Sequence, residues 1–466
     1  MKNKPGTSKV AKPETPSSNK RWALPLAGLL LLAALGAATK PEAATVVGGA
    51  MNGADVAWML TASALVLLMT PGLSFFYGGM VQTKNVISTM MQSFIAMGLI
   101  SLLWVTFGFS LAFGDSIYGI IGDPRTFFMF KHVGGATHPD LSATIPLALF
   151  AMFQLKFAII TPALITGSFA ERVRFSSYML FICLWSLVVY APLAHMTWHP
   201  NGLFHSWGVL DFAGGTVVHL SAGVAALAGA IVLGRRKIHI AKSAHEPANI
   251  PFVILGTGML WFGWFGFNAG SALAANETAV GAFLTTNTAC AAAMLAWVIA
   301  DCMVGRKPSA LGACVGAVVG LVAITPAAGY VGVGPSIFIG VAAAFLCNMA
   351  VHLRSKSSLD DTLDVFPCHG LGGMIGMVLT AVFAKDVGLV YGQTTTLMYH
   401  LLALVIAVGY TFVASMVLYK ITDKLIPLRV TDEQEDLGLD LSQHGETAVA
   451  KSTFADTSDL FQAKAA

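Results

Sequence analysis

The chain is 466 residues long, 56% hydrophobic and only 11% charged, with a formal net charge of +3. An average soluble domain carries about 25% charged residues, so this chain cannot clothe a water-facing globule, and a bilayer must serve as its solvent. The small positive excess is sorted among loops rather than gathered in one patch, which excludes a nucleic-acid-binding face. The six cysteines lie in or at the ends of apolar runs without short-spaced pairs, which argues against a zinc site or a disulfide framework.

In chain order, Lys20 and Arg21 precede a short apolar stretch from Trp22 to Ala38, with small residues at Gly36 and Ala38 where a signal peptidase could cut. Residues 1–38 therefore read as a signal peptide, an uncleaved twelfth helix being the competing reading. Apolar runs of about 20 residues follow, each long enough to cross a hydrocarbon core of about 30 Å. They start near residues 55, 86, 143, 175, 212, 250, 278, 309, 333, 365 and 396. Alternating strand patterns are absent, and only helices or closed barrels satisfy their backbone groups in lipid. The expected fold is an all-α polytopic membrane protein with eleven transmembrane helices.

Basic residues fall in alternate loops: Lys84; Arg172 and Arg174; Arg235, Arg236, Lys237 and Lys242; Arg306 and Lys307; Arg354 and Lys356; Lys420, Lys424 and Arg429. The positive-inside bias puts these loops in the cytoplasm, with the mature N-terminus outside and the C-terminus inside. An odd number of spans fits two inverted five-helix repeats plus one helix. The boundaries read as repeat A at 54–234, repeat B at 250–385, an extra helix at 396–426 and a cytoplasmic tail at 427–466.

The fifth run reads Val217-Val218-His219-Leu220-Ser221-Ala222-Gly223 and the tenth Pro367-Cys368-His369-Gly370-Leu371-Gly372-Gly373, each a deep histidine followed by small residues. An ionisable group at that depth marks a functional candidate, and equivalent positions of inverted repeats meet near the midplane. His219 and His369 are thus expected to face each other, against the plainer reading of two separate core histidines. Haem or zinc ligation is the third reading, but no further Cys, His or carboxylate cluster completes a shell, so neither metal nor cofactor is expected.

Asp211 opens the fifth run and is expected to accept from the amides of Ala213 or Gly214 as an N-cap. A carboxylate held there also offers negative potential to an arriving cation. Trp198 ends the fourth run, either as an interfacial belt aromatic or, with Phe153 and Phe157, as a cation–π surface. In the segment Trp264 to Ser271, glycines between aromatic rings let helices approach closely, and Ser271 supplies a hydroxyl acceptor. Lys156, a cation beside Phe157, is expected to face away from any pathway and snorkel outward.

Five segments in order resemble the ammonium transporters of the Amt/Mep/Rhesus type, specifically the bacterial Amt branch, over residues 55–446. They are Pro71-Gly72 with Phe76-Tyr77-Gly78-Gly79, Gly167 to Arg172, Asp211 to His219, Trp264 to Ser271, and Asp364 to Gly370. The resemblance implies recruitment of substrate at Phe153, Phe157, Trp198 and Ser271, a gate of Phe157 and Phe267, and a pore lined by His219, His369 and Trp264. Asp211 matches the family's structural and electrostatic carboxylate. Implied partners are NH4+/NH3 as substrate, the lipid bilayer of the cell (inner) membrane, two further copies in a homotrimer, and a P-II-type nitrogen signalling protein at the cytoplasmic face. The tail from Leu437 to Glu446 resembles the family's regulatory segment.

A bare cation entering hydrocarbon meets an idealised cost of order 20 kcal/mol. Removing a proton from an ammonium of pKa about 10.4 at neutral pH costs about 4–5 kcal/mol, so deprotonation is the cheaper route. The expected activity is recognition of NH4+ followed by conduction of NH3, with net charge transfer and no enzymatic chemistry. The alternatives are a neutral-gas channel for NH3 or CO2 of the Rhesus type and an ammonium sensor.

Overall fold

The apolar runs become helices because only a helix pairs its own backbone groups where lipid supplies no partner. The computed structural model describes residues 22–40 and 42–448. Lys20 and Arg21 of the expected signal peptide, and the tail from Val449 onward, lie outside the described residues. The helix α1 (Ala23–Ala38), with residues up to Glu42, forms a unit of its own and buries none of its side chains. At 16 residues it is about 24 Å long, less than a full span.

The remainder is built on α2 (Gly53–Met80), α3 (Thr83–Phe113), α4 (Leu147–Phe169), α5 (Phe175–Ser206), α6 (Gly215–Leu233), α7 (Ile250–Gly270), α8 (Glu277–Met303), α9 (Ala310–Ile324), α10 (Val333–Ser355), α11 (Phe366–Phe383) and α12 (Thr395–Leu425). Among the described residues ten of these are long and apolar enough to cross a bilayer, and α9, with 15 residues, is the shorter eleventh. Each expected run holds one of these helices; ten have the length of a span, and α9 falls short of it, so the set is consistent with the expected eleven. Phe94, Leu295, Met349 and Val405 keep 47%, 61%, 54% and 71% of their surface exposed, an apolar outer face that only lipid or another subunit can cover.

Two departures from an all-helical reading lie between α3 and α4. Strands β1 (Ser116–Ile117) and β2 (Ile121–Gly122) pair antiparallel, as do β3 (Thr137–His138) and β4 (Ser142–Pro146). The third run, read from residue 143, therefore enters its helix only at Leu147. Pro146 disfavours helical geometry at Ile145, so the chain stays extended until the proline is passed.

Equivalent helices of the two halves pack on one another. In α2 and α7 the partners run in opposite order: a Cβ at Gly270 would meet Ala62 at 2.8 Å, at Gly263 Met69 at 2.3 Å, and at Gly256 the Phe76 amide at 2.3 Å. Any larger residue there would push the pair apart, which is why small residues line such seams. The helices α6 and α11 pack in the same way at the centre.

At the end of the bundle where the C-terminal segment docks, Arg236 donates to Glu171 (2.6 Å) and to Asp360 (2.8 Å), all three buried. Burial raises the Asp360 carboxyl, but hydrogen bonding to Arg236 and the charges of Arg172 and Arg236 override it and hold the group at about 2. Arg172, fully buried, donates to Ser168 O, Asp360 O and Thr362 Oγ1, and burial lowers it to about 10. These contacts tie the α4–α5 loop of one half to the segment that starts α11 in the other. A short helix, α13 (Asp432–Leu437), begins at a Thr431 capping box. Its Glu435 accepts from the Lys237 amide (2.7 Å) and from Arg429 (2.7 Å), clasping the tail to the end of α6.

Removing one member of a buried ion network strands the others, at about 3–5 kcal/mol. Arg236→Met is expected to lower the thermal midpoint of the detergent-solubilised protein clearly, whereas Arg125→Ala, which breaks the exposed pair with Asp123, leaves it in place; thermal unfolding of both variants checks this.

Candidate functional site

Both deep histidines sit where a helix begins with a wide π turn rather than an α turn: Gly215–Leu220 in α6 and Phe366–Leu371 in α11. Such turns re-aim a side chain and are frequent at functional sites. Asp211 supports the first turn, its Oδ1 accepting from the amides of Gly214 (2.8 Å) and Gly215 (2.6 Å), its Oδ2 from Thr216 (2.8 Å) and Val217 (3.4 Å). Of the two expected donors only Gly214 is used. Its φ of 115° bends the chain so that the amides beyond it, not Ala213, face the carboxylate; a glycine adopts that backbone at no steric cost.

Asp361 plays the matching part for α11, accepting from Val365 (3.1 Å) and Phe366 (2.8 Å). Burial raises both carboxyls, opposed by the amide donors. The interval from Asp361 to His369 equals that from Asp211 to His219, a repeat spacing in the sequence that points to Asp361 and that the residue-level reading passed over.

Between these turns the two helices touch backbone to backbone. A Cβ at Gly223 would lie 2.1 Å from the Gly370 nitrogen, and one at Gly373 would lie 2.7 Å from Gly215 O and 3.2 Å from the His219 Cβ. The small residues after each histidine are thus what lets the imidazoles meet: His219 Nδ1 and His369 Nδ1 are 3.3 Å apart. One ring carries the proton of that contact and the other accepts it.

From this pair an aromatic column rises to the opposite end of the bundle from the tail. Trp264 stacks on His219 with centroids 5.3 Å apart at 21°, and Phe267 lies 6.0 Å from His219. Phe157 covers Phe267 at 4.2 Å, closing the column. Phe153 and Trp198 flank Phe157 at 4.9 and 5.8 Å. The indole of Trp198 donates to Asp211 O (2.9 Å), so the ring is pinned to the cap rather than lying free at an interface. Ser271 Oγ donates to Phe267 O (2.8 Å), which leaves its lone pairs as acceptors. Ser271 follows Gly270, where a Cβ would lie 2.9 Å from the Phe153 ring.

Below the Phe157–Phe267 contact lies an enclosed cavity walled by Leu73, Ile160, Leu164, Val218, Trp264 and both histidines. The space in it open to a water-sized molecule is about 10 Å³, at the lower limit for holding one. His219 Nε2 is buried there without a hydrogen-bond partner. Lys156, expected to snorkel outward, is instead 9% exposed, because α4 is the most enclosed of the spans; it does not line this cavity. Among the described residues no group of three or more His, Cys, Asp or Glu is placed to hold a metal ion.

Inverted helical halves that meet at a buried apolar cavity lined by paired histidines fit a polytopic membrane transport protein. Residues 57–449 match the model of the Ammonium Transporter Family. The ammonium transporter of Bacillus subtilis is 46% identical over 408 residues, 85% of this chain and 99% of that protein. The Archaeoglobus fulgidus ammonium transporter Amt1 is 42% identical over 403 residues, covering 85% and 100%. The crystal structure of Saccharomyces cerevisiae Mep2 superimposes with a TM-score of 0.80 at 35% identity, covering 87% of this chain and 93% of that one. A structure entitled "Sensor Amt Protein" gives 0.77 at 30% identity, covering 84% and 98%. The chain belongs to the ammonium transporter family, whose members are transporters and not enzymes.

Because a side chain at Gly223 must displace the backbone of the facing helix, Gly223→Ala is expected to cut the uptake rate of reconstituted protein by about tenfold or more. Gly258→Ala, where a Cβ meets open space, is expected to transport as the parent does.

Proposed function

We propose that the chain moves ammonium nitrogen across a cell membrane by recognising NH4+ in the aromatic cup at Trp198, removing its proton at the Phe157–Phe267 gate, and passing NH3 along His219 and His369. The observation that carries this reading is the partnerless Nε2 of His219 in a water-sized apolar cavity. A buried polar atom without a partner needs a ligand to satisfy it, and ammonia is a donor and acceptor of the right size. A desolvated cation over aromatic faces gains about 2 kcal/mol, which supports recognition at Phe153, Phe157, Trp198 and the Ser271 hydroxyl. That cup favours a cation-recognising transporter over a neutral-gas channel.

The gate rings touch at 4.2 Å, so passage requires them to rotate, a motion of side chains rather than of helices. Asp211 contributes by holding the first π turn and pinning Trp198 from behind. Beneath the gate His219 Nε2, which has no other partner, accepts the proton that NH4+ gives up; His219 passes its own Nδ1 proton to His369 Nδ1 and His369 releases its Nε2 proton inward, while the nitrogen crosses neutral, which gives net transfer of charge.

The loop charges favour Trp198 outside and the docked tail in the cytoplasm, in the inner membrane after removal of residues 1–38. Residues 427–466 then serve as a regulatory segment. The exposed apolar flanks suit a homotrimer with one conduit per subunit, and the cytoplasmic face suits a P-II-type signalling protein. The likeness to a structure entitled "Sensor Amt Protein" favours a second reading, an ammonium sensor, which would bind without sustained flux.

Uptake of ammonium into proteoliposomes tests the proposal. His219→Ala and His369→Ala are each expected to change rate and selectivity; a parental rate and selectivity in both would remove the histidines from the mechanism, and a parent protein that binds without uptake would favour the sensor. Trp198→Leu is expected to raise the apparent KM for ammonium about tenfold, with kcat changed less.

A further inference from the structure

Thr325 is the C-cap residue of α9 and is completely buried. Its hydroxyl donates to Leu321 O (2.8 Å) and accepts from the indole Nε1 of Trp264 (2.9 Å). A hydroxyl has one proton, and here the helix carbonyl one turn back takes it, so the oxygen can only receive from the indole. The next residue, Pro326, accepts from the Phe212 amide (3.1 Å), and its ring lies where a Cβ of Gly215 would stand, 2.6 Å away. Two successive residues of α9's end thus hold the ring stacked on His219 and the segment that leads into the His219 turn.

We propose that Thr325 is a positioning residue that keeps the Trp264 N–H turned out of the conduit, so that the only nitrogen groups offered to the passing substrate are the two imidazoles. The indole nitrogen is a donor and cannot accept. Facing the cavity, it would bind the lone pair of ammonia or the free Nε2 of His219, holding the first in place and occupying the second. Locked on Thr325, it presents only ring surface to His219 and the cavity. The inference rests on the transport reading above and adds to it a requirement that the wall beside the histidines carry no competing donor.

The test compares Thr325→Val, Thr325→Ser, Trp264→Phe and the double variant Thr325→Val/Trp264→Phe, with His219→Ala and His369→Ala alongside, by initial uptake rates in proteoliposomes. Valine keeps the shape and removes the acceptor, leaving the indole N–H unsatisfied. The expected result is a fall in kcat of about tenfold for Thr325→Val with little change in apparent KM, which is set at Trp198. Serine is expected to restore the rate to within about twofold. In the Trp264→Phe background, where no N–H exists, Thr325→Val is expected to have no further effect. An equal fall in that background, or a parental rate for Thr325→Val, would overturn the inference. A cryo-EM structure of Thr325→Val supplies a readout independent of flux: an indole turned into the conduit supports the assignment, and an indole left in place contradicts it. A parental rate and selectivity in both His219→Ala and His369→Ala would remove the histidines from the mechanism and with them the reading on which this inference rests, whereas failure confined to Thr325 leaves that reading standing.

Discussion

Two imidazoles held 3.3 Å apart in the apolar middle of a membrane protein are the contact on which the other parts depend. Each brings polar nitrogen into surroundings that penalise it, and the contact between their Nδ1 atoms offsets part of that cost. Helix geometry alone does not bring the rings together. It takes the π turns that aim them, the carboxylates of Asp211 and Asp361 that stabilise those turns, and the contact of Gly223 with Gly370 that removes the space between the helices. The surrounding machinery reads as support for this one contact. At one end Arg236 and Arg172 fix the segment 360–362 that leads into Asp361 and α11. At the other, Trp198 leans on the backbone of Asp211, so the aromatic cup and the His219 turn share a single anchor.

The proposed gate belongs to the same logic. Phe157 and Phe267 close the column above the histidines, and on the proposed route that closed aromatic layer would exclude the water that hydrates the ion. The cost of carrying a bare charge, of order 20 kcal/mol against about 4–5 for giving up a proton, sets the direction of the design. A carboxylate-lined pore would solve the problem by stabilising the cation; on the proposed route an imidazole-lined one would solve it by never admitting the cation to the middle.

Much of this is legible in the sequence. Bilayer thickness acts on every span alike, so run length alone located eleven helices, and the paired histidines stood out because their surroundings repeat. The ribbons β1 to β4 escaped because strands of two to five residues are too short to display alternation. The gate partner of Phe157 came from family likeness, since one phenylalanine among apolar neighbours carries no signal of its own. Asp361 was within reach through its spacing to His369. The cluster of Glu171, Arg236 and Asp360 and the hydroxyl of Thr325 were not, because each gains its meaning from a neighbour far away in sequence, and a single chain records no such proximity.

The central claim is that nitrogen and proton cross by separate routes after the ion is recognised as a cation. Parallel records of current and of nitrogen uptake against ammonium concentration, on proteoliposomes of the parent protein, test it most directly. The account predicts a saturable current that rises together with uptake. Saturable uptake with no current at any ammonium concentration would contradict it.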